Sequence, residues 1–161
     1  MRKLRYGPAF ALACTVALLT SCAATRKQPG TGDIAFRLIW SGPVDLDLHV
    51  RDPLGFRLSF LNPSSPSGGI LDIDCNKSPH DICETPVENV FWPTGNAPEG
   101  KYRYWVELFQ PHFGVESAQY TLLVLIGERV VERYTGRLDL SERKAGPFEY
   151  VYRRRAPRSN L

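Results

Sequence analysis

Asp45-Leu46-Asp47-Leu48-His49-Val50 is the stretch that decides the fold. Acid or histidine alternates with aliphatic residue at period two, the pattern of a β-strand with two chemically different faces. Leu46, Leu48 and Val50 belong to one face, and Asp45, Asp47 and His49 to the other. Carboxylates two residues apart on one strand face stand roughly 6 to 7 Å apart, close enough to share a cation or to repel each other. A positive charge is expected beside them.

The same period recurs on both sides. Upstream, Ile34, Phe36, Leu38 and Trp40 alternate with Ala35, Arg37 and Ile39, and Ser41-Gly42-Pro43 breaks the strand. Downstream, Asp52-Pro53-Leu54-Gly55 has turn chemistry and 56–61 reads as the hairpin partner. Residues 62–69, rich in Pro, Ser and Gly, form a loop. Further strands are expected over 70–74, 88–92, 101–110, 120–126, 129–135 and 148–153. Tyr102, Tyr104, Val106 and Leu108 share one face, and Arg103, Trp105 and Glu107 the other. No stretch after residue 22 carries a helical apolar spacing over more than two turns. The fold class is therefore all-β: an antiparallel β-sandwich, jelly-roll-like, of about eight or nine strands over 33–153.

The first 21 residues stand apart from this pattern. Arg2, Lys3 and Arg5 precede an apolar run, Ala9 to Leu19, which is short for a bilayer span, and Leu19-Thr20-Ser21-Cys22 closes it. That ending resembles the lipobox of bacterial lipoproteins and implies a signal peptide over 1–21 with Cys22 as the lipidated first residue. An ordinary secretory signal or an uncleaved anchor are the alternatives. Residues 22–32 then read as the lipidated cysteine and a flexible tether. Ala23 and Ala24 carry no aspartate, as in lipoproteins sent to the outer membrane, so an envelope location facing the periplasm or the cell surface is expected.

Charge follows from the same segment. Of 20 Lys plus Arg, three lie in residues 1–21, which hold no acid, leaving 17 against 17 Asp plus Glu. The excess base belongs to the export signal and gives no support to nucleic-acid binding. The basic stretch 154–161 reads as a solvated tail, or as a contact for acidic lipid or polyanionic glycan. Cys14 leaves with the signal, so Cys75 and Cys83 are expected to form a disulfide, as is usual in exported proteins. A zinc site from Cys75, His80 and Cys83 is the weaker alternative, having three ligands in unusual spacing.

Asp72, Asp74 and Asn76 open like a calcium loop of the Asp-x-Asp-x-Asn kind. An EF-hand is excluded, because Lys77 occupies the glycine position, Cys83 the twelfth, and flanking helices are missing. A calcium site of other geometry remains, built from Asp45, Asp47, Asp72, Asp74, Asn76 and Glu88, since calcium takes six to eight hard oxygens. His49 is expected to orient neighbours as a hydrogen-bond donor. The alternative is that these acids make turn bonds or pair with Arg51, Arg57 or Lys77.

No nucleophile elbow or phosphate loop occurs, and His49, His80 and His112 lack partner patterns, so no catalytic residue is assigned. A glycan hydrolase using paired carboxylates, or a glycan-binding module stacking sugars on Trp92, Trp105, Phe109, His112 and Phe113, is the alternative to a binding or structural module.

Trp40 with Asp45 to Val50 and Asp52-Pro53-Leu54-Gly55 resembles the signature of YfaP-type domains, a bacterial family of unknown function. So do Gly68-Gly69-Ile70-Leu71-Asp72-Ile73-Asp74, Glu88-Asn89-Val90 and the block from Ala97 to Val106. The resemblance spans 34–126 and implies a compact, often exported β-sandwich without established enzymatic activity. The chain departs from it at Pro86-Val87-Glu88, where the family often has Gly-Pro-Glu.

Overall fold

The computed structural model describes residues 27–154. The expected signal over 1–21, the lipidated Cys22 and the tail over 155–161 lie outside the described residues. The described chain is all-β, with nine strands: β1 Ile34–Trp40, β2 Asp45–Arg51, β3 Arg57–Leu58, β4 Ile70–Asp74, β5 Val87–Trp92, β6 Gly100–Gln110, β7 Ser117–Ile126, β8 Arg129–Asp139 and β9 Lys144–Tyr152. They form two antiparallel sheets, ordered β4-β5-β1-β7-β8 and β3-β2-β6-β9.

The period-two patterns explain how the sheets meet. Phe36 and Leu38 of β1, Leu46 and Leu48 of β2, and Tyr102 and Tyr104 of β6 are all wholly buried in one core. Phe36 of one sheet packs on Tyr104 of the other at 4.7 Å between ring centroids. Such pairs hold the two apolar faces together beyond the area they bury. The expected hairpin partner is shorter than its sequence run: β3 has two residues, and the chain turns at Ser59 and Asn62. This leaves most of the β2 edge unpaired by backbone on that side.

Cys75 and Cys83 are bonded, with Cα atoms 5.8 Å apart. Asn76, at a left-handed φ of 65°, sits inside that loop and is wholly buried. Its amide donates to Val44 O at 3.0 Å and Gly42 O at 3.2 Å, and its Oδ1 accepts from Cys83 N at 2.9 Å. The loop is thereby pinned to the turn between β1 and β2, because Asn tolerates this backbone region better than most residues.

Residues 27–32, expected to belong to a flexible tether, are bonded to the five-stranded sheet. Gly30 N donates to Asp72 Oδ2 at 2.8 Å, and Gly30 O accepts from Asn89 Nδ2 at 3.0 Å. A Cβ at Gly30 would stand 2.4 Å from the Phe91 ring, so only glycine allows so close a pass. Arg154, the first residue of the expected tail, is also held: its N–H donates to Glu99 Oε1 and its guanidinium to Gly95 O at 3.0 Å.

A candidate cation site at the open edge of β2

In β2 the expected two faces form, but both are buried. Leu46, Leu48 and Val50 enter the core, whereas Asp45 at 3%, Asp47 at 5% and His49 at 6% exposure are covered on the outer face. Phe60, just after β3, packs on Phe109 of β6 at 5.5 Å. Because β2 lies between those strands, this contact crosses its outer face. The acids are thus removed from water, which strongly disfavours their charged forms.

Asp74 and Glu88 reach the same strand from the other sheet. Glu88 shares the β5 face of Val90 and Trp92, which points between the sheets, and is 1% exposed. Its Oε2 accepts the Leu48 N–H at 2.5 Å, satisfying a backbone donor on the unpaired β2 edge. Asp74 stands opposite Glu88 in the β4–β5 register, and the two carboxyls lie within hydrogen-bonding reach of each other. Adjacent carboxyls without water need a proton or a cation between them.

Burial raises all four. It pushes Asp45 up to about 7, helped by the charge of Asp74, and Asp47 up to about 7, helped by Asp45, Asp74 and Glu107. Asp74 is raised by burial, against the pull of Lys77, whose Nζ is 3.8 Å from its Oδ2. Glu88 is raised well above its usual value, by burial and then by Asp74 and Asp47. Three buried oxygens at this site, Asp45 Oδ1, Asp74 Oδ1 and Glu88 Oε1, have no hydrogen-bond partner. All three are acceptors, and unpartnered buried acceptors are rare in folded proteins.

The other two expected ligands go elsewhere. Asp72 accepts from Asn89 Nδ2 at 2.7 Å and from Gly30 N, and Asn76 is occupied by its loop. The cause is a register shift between Leu71 and Ile73, where β4 carries one extra residue. Such a bulge inverts the alternation, so Asp72 and Asp74 leave the strand on opposite faces. Of the three bases expected near the acids, Lys77 pairs with Asp74.

His49 differs from its expected role as a donor. Its Nε2 is 3.6 Å from Glu107 Oε2, its Nδ1 has no partner, and burial lowers it to about 4, so the ring is neutral. It stacks on Trp105 at 4.9 Å and 15°, and Lys144 Nζ lies 5.0 Å from the Trp105 ring centroid on β6. The aromatic platform is not assembled: Trp92 is wholly buried, and His112 is buried and bonded to Asn76 O at 2.9 Å. Glu107 is the member the sequence reading missed. It lies opposite Asp47 in the β2–β6 register, and its alternation with Trp105 was the available signal.

Among the described residues, no group of three or more His, Cys, Asp or Glu side chains already stands in position to hold a metal ion. The arrangement is four acids around one strand edge, two from each sheet, with unfilled acceptor capacity. No family model matches the chain, and no curated protein or solved structure matches it.

Proposed function

We propose that this chain is a lipid-anchored binding or structural module of the bacterial cell envelope, carrying a structural divalent cation at the open edge of β2. The observation that carries the cation is the Asp74–Glu88 pair: a half-buried and a buried carboxyl in contact, each with a buried, unpartnered oxygen. Calcium fits the donor set, because hard carboxylate oxygens from four residues suit it and neither sulfur nor imidazole is needed. Once bound, the ion links strands β2, β4 and β5 and so fixes one sheet to the other.

Anchoring rests on the lipobox-like Leu19-Thr20-Ser21-Cys22 ending, and kinship with YfaP-type domains on the motif blocks quoted above. No catalytic role is proposed. The test is a thermal melt at neutral pH with 2 mM calcium or with a chelator. A rise of at least about 5 °C with calcium supports the reading, by the usual linkage between ligand binding and stability. Melts that coincide overturn the cation and leave protons as what holds the carboxyls together.

A further inference from the structure

The segment that leads toward Cys22 is tied to one particular rim of the molecule. Lys27 Nζ donates to Asp72 O at 2.5 Å, and Gly30 is bonded to Asp72 and Asn89. From Cys22 to Lys27 is five residues, which reach at most about 18 Å when fully extended. A lipid on Cys22 therefore holds this rim within that distance of the bilayer surface.

The rim has the chemistry of a bilayer interface. Phe60, Pro63, Leu71 and the Cys75–Cys83 disulfide line a cavity of about 480 Å³, with Lys27 and Lys77 and the acids Asp72 and Asp74 on its wall. Phe60 is 38% exposed, and its chain neighbour Leu61 is 64% exposed. Phe109, against which Phe60 packs, is 50% exposed, and Ile82, next to Cys83, is 39% exposed. Lys27 spends its hydrogen bond on a carbonyl, so its charge is not neutralised by that contact. Exposed apolar side chains beside the Lys27 ammonium, with Lys77 already paired to Asp74, match the boundary between headgroups and acyl chains.

We propose that this rim, built around Phe60 and Leu61, is a membrane-docking surface, so that the domain lies against the lipid headgroups with β4 nearest the bilayer and β8 farthest. The inference rests on the lipid-anchored reading, and its test separates the two. The lipidated full chain is reconstituted into phosphatidylethanolamine and phosphatidylglycerol vesicles with brominated acyl chains, and flotation is measured first. Tryptophan emission is then compared for F60W, for L61W and for V130W, the last on β8 at the opposite edge of the five-stranded sheet, where Val130 is 41% exposed. The unsubstituted chain supplies the background.

The expected result is at least twofold stronger quenching at F60W and L61W than at V130W. L61W, at the more exposed position, keeps the comparison valid should F60W perturb the packing on Phe109. Equal quenching at both edges, stronger quenching at V130W, or none at all overturns the orientation in a chain that floats. A chain that does not float overturns the anchored reading, and this one with it.

Discussion

Leu48 N–H of the four-stranded sheet donates to Glu88 Oε2 of the five-stranded sheet at 2.5 Å. A backbone group on an open strand edge is thus satisfied by an acid from the opposite layer. Water would ordinarily serve such an edge, and here it is displaced by a carboxyl that the rest of the site keeps from being comfortably ionised. The chemistry of the site follows from this bond, because it fixes Glu88 beside Asp74 and beneath β2.

Removing the acceptor and removing the charge have different consequences. Glu88→Ala orphans the Leu48 N–H in a buried place, which costs about 2 kcal/mol of stability. Glu88→Gln keeps an acceptor and deletes the charge, so in chelator it stays within about 1 kcal/mol of the unsubstituted chain. Urea unfolding of both variants checks this. Equal losses would mean that the bond to Leu48 contributes nothing.

The titrations give stability a direction with pH. Asp45 and Asp47 are held at about 7 against 3.8, so between those values the folded chain keeps protons that the unfolded chain has released. Their contribution is therefore lost as pH rises. His49, held at about 4 against 6.5, acts in the opposite sense, and its contribution is lost as pH falls below 6.5. Two acids outweigh one histidine. In chelator, stability falls by roughly 2 kcal/mol between pH 6 and pH 8. Denaturant melts at the two pH values measure it, and a rise over that range would contradict the assignment of buried acids.

Asp72 and Asp47 separate the sequence motif from the folded site. Asp47→Asn weakens calcium binding at least 10-fold and, in chelator, raises stability by about 1 kcal/mol through lost repulsion. Asp72→Asn leaves the calcium affinity within 3-fold, because that carboxylate serves Gly30 and Asn89. Calcium titration of both variants decides between the motif and the geometry.

The strand pattern was legible because apolar alternation is what buries a sheet face, and Ile34 to Trp40 and Tyr102 to Leu108 fold as their periods imply. Cys75 and Cys83 were legible by elimination among four cysteines. Of the six expected ligands, Asp74 and Glu88 reach each other and Asp45 and Asp47 lie close enough to feel their charge, whereas Asp72 and Asn76 are held elsewhere. The bulge at Asp72 is the reason, since one inserted residue leaves no mark in composition yet turns Asp74 to the other face. The covering of Asp45 and Asp47 was equally hidden. It depends on β3 ending after two residues, which lets Phe60 cross to Phe109. Glu107 needed the β2–β6 register, a property of the pairing rather than of either strand.

The central claim is that a cation takes the place of protons among Asp45, Asp47, Asp74 and Glu88. Calorimetric titration of the full chain with calcium at pH 6.5, repeated in buffers of different ionisation enthalpy, measures both partners at once. The account predicts one calcium per chain and the release of at least about one proton, since Asp45 and Asp47 are both largely protonated at that pH and Glu88 is raised as well. Binding without proton release would place the ion elsewhere, and no binding heat at millimolar calcium in any buffer would contradict the account.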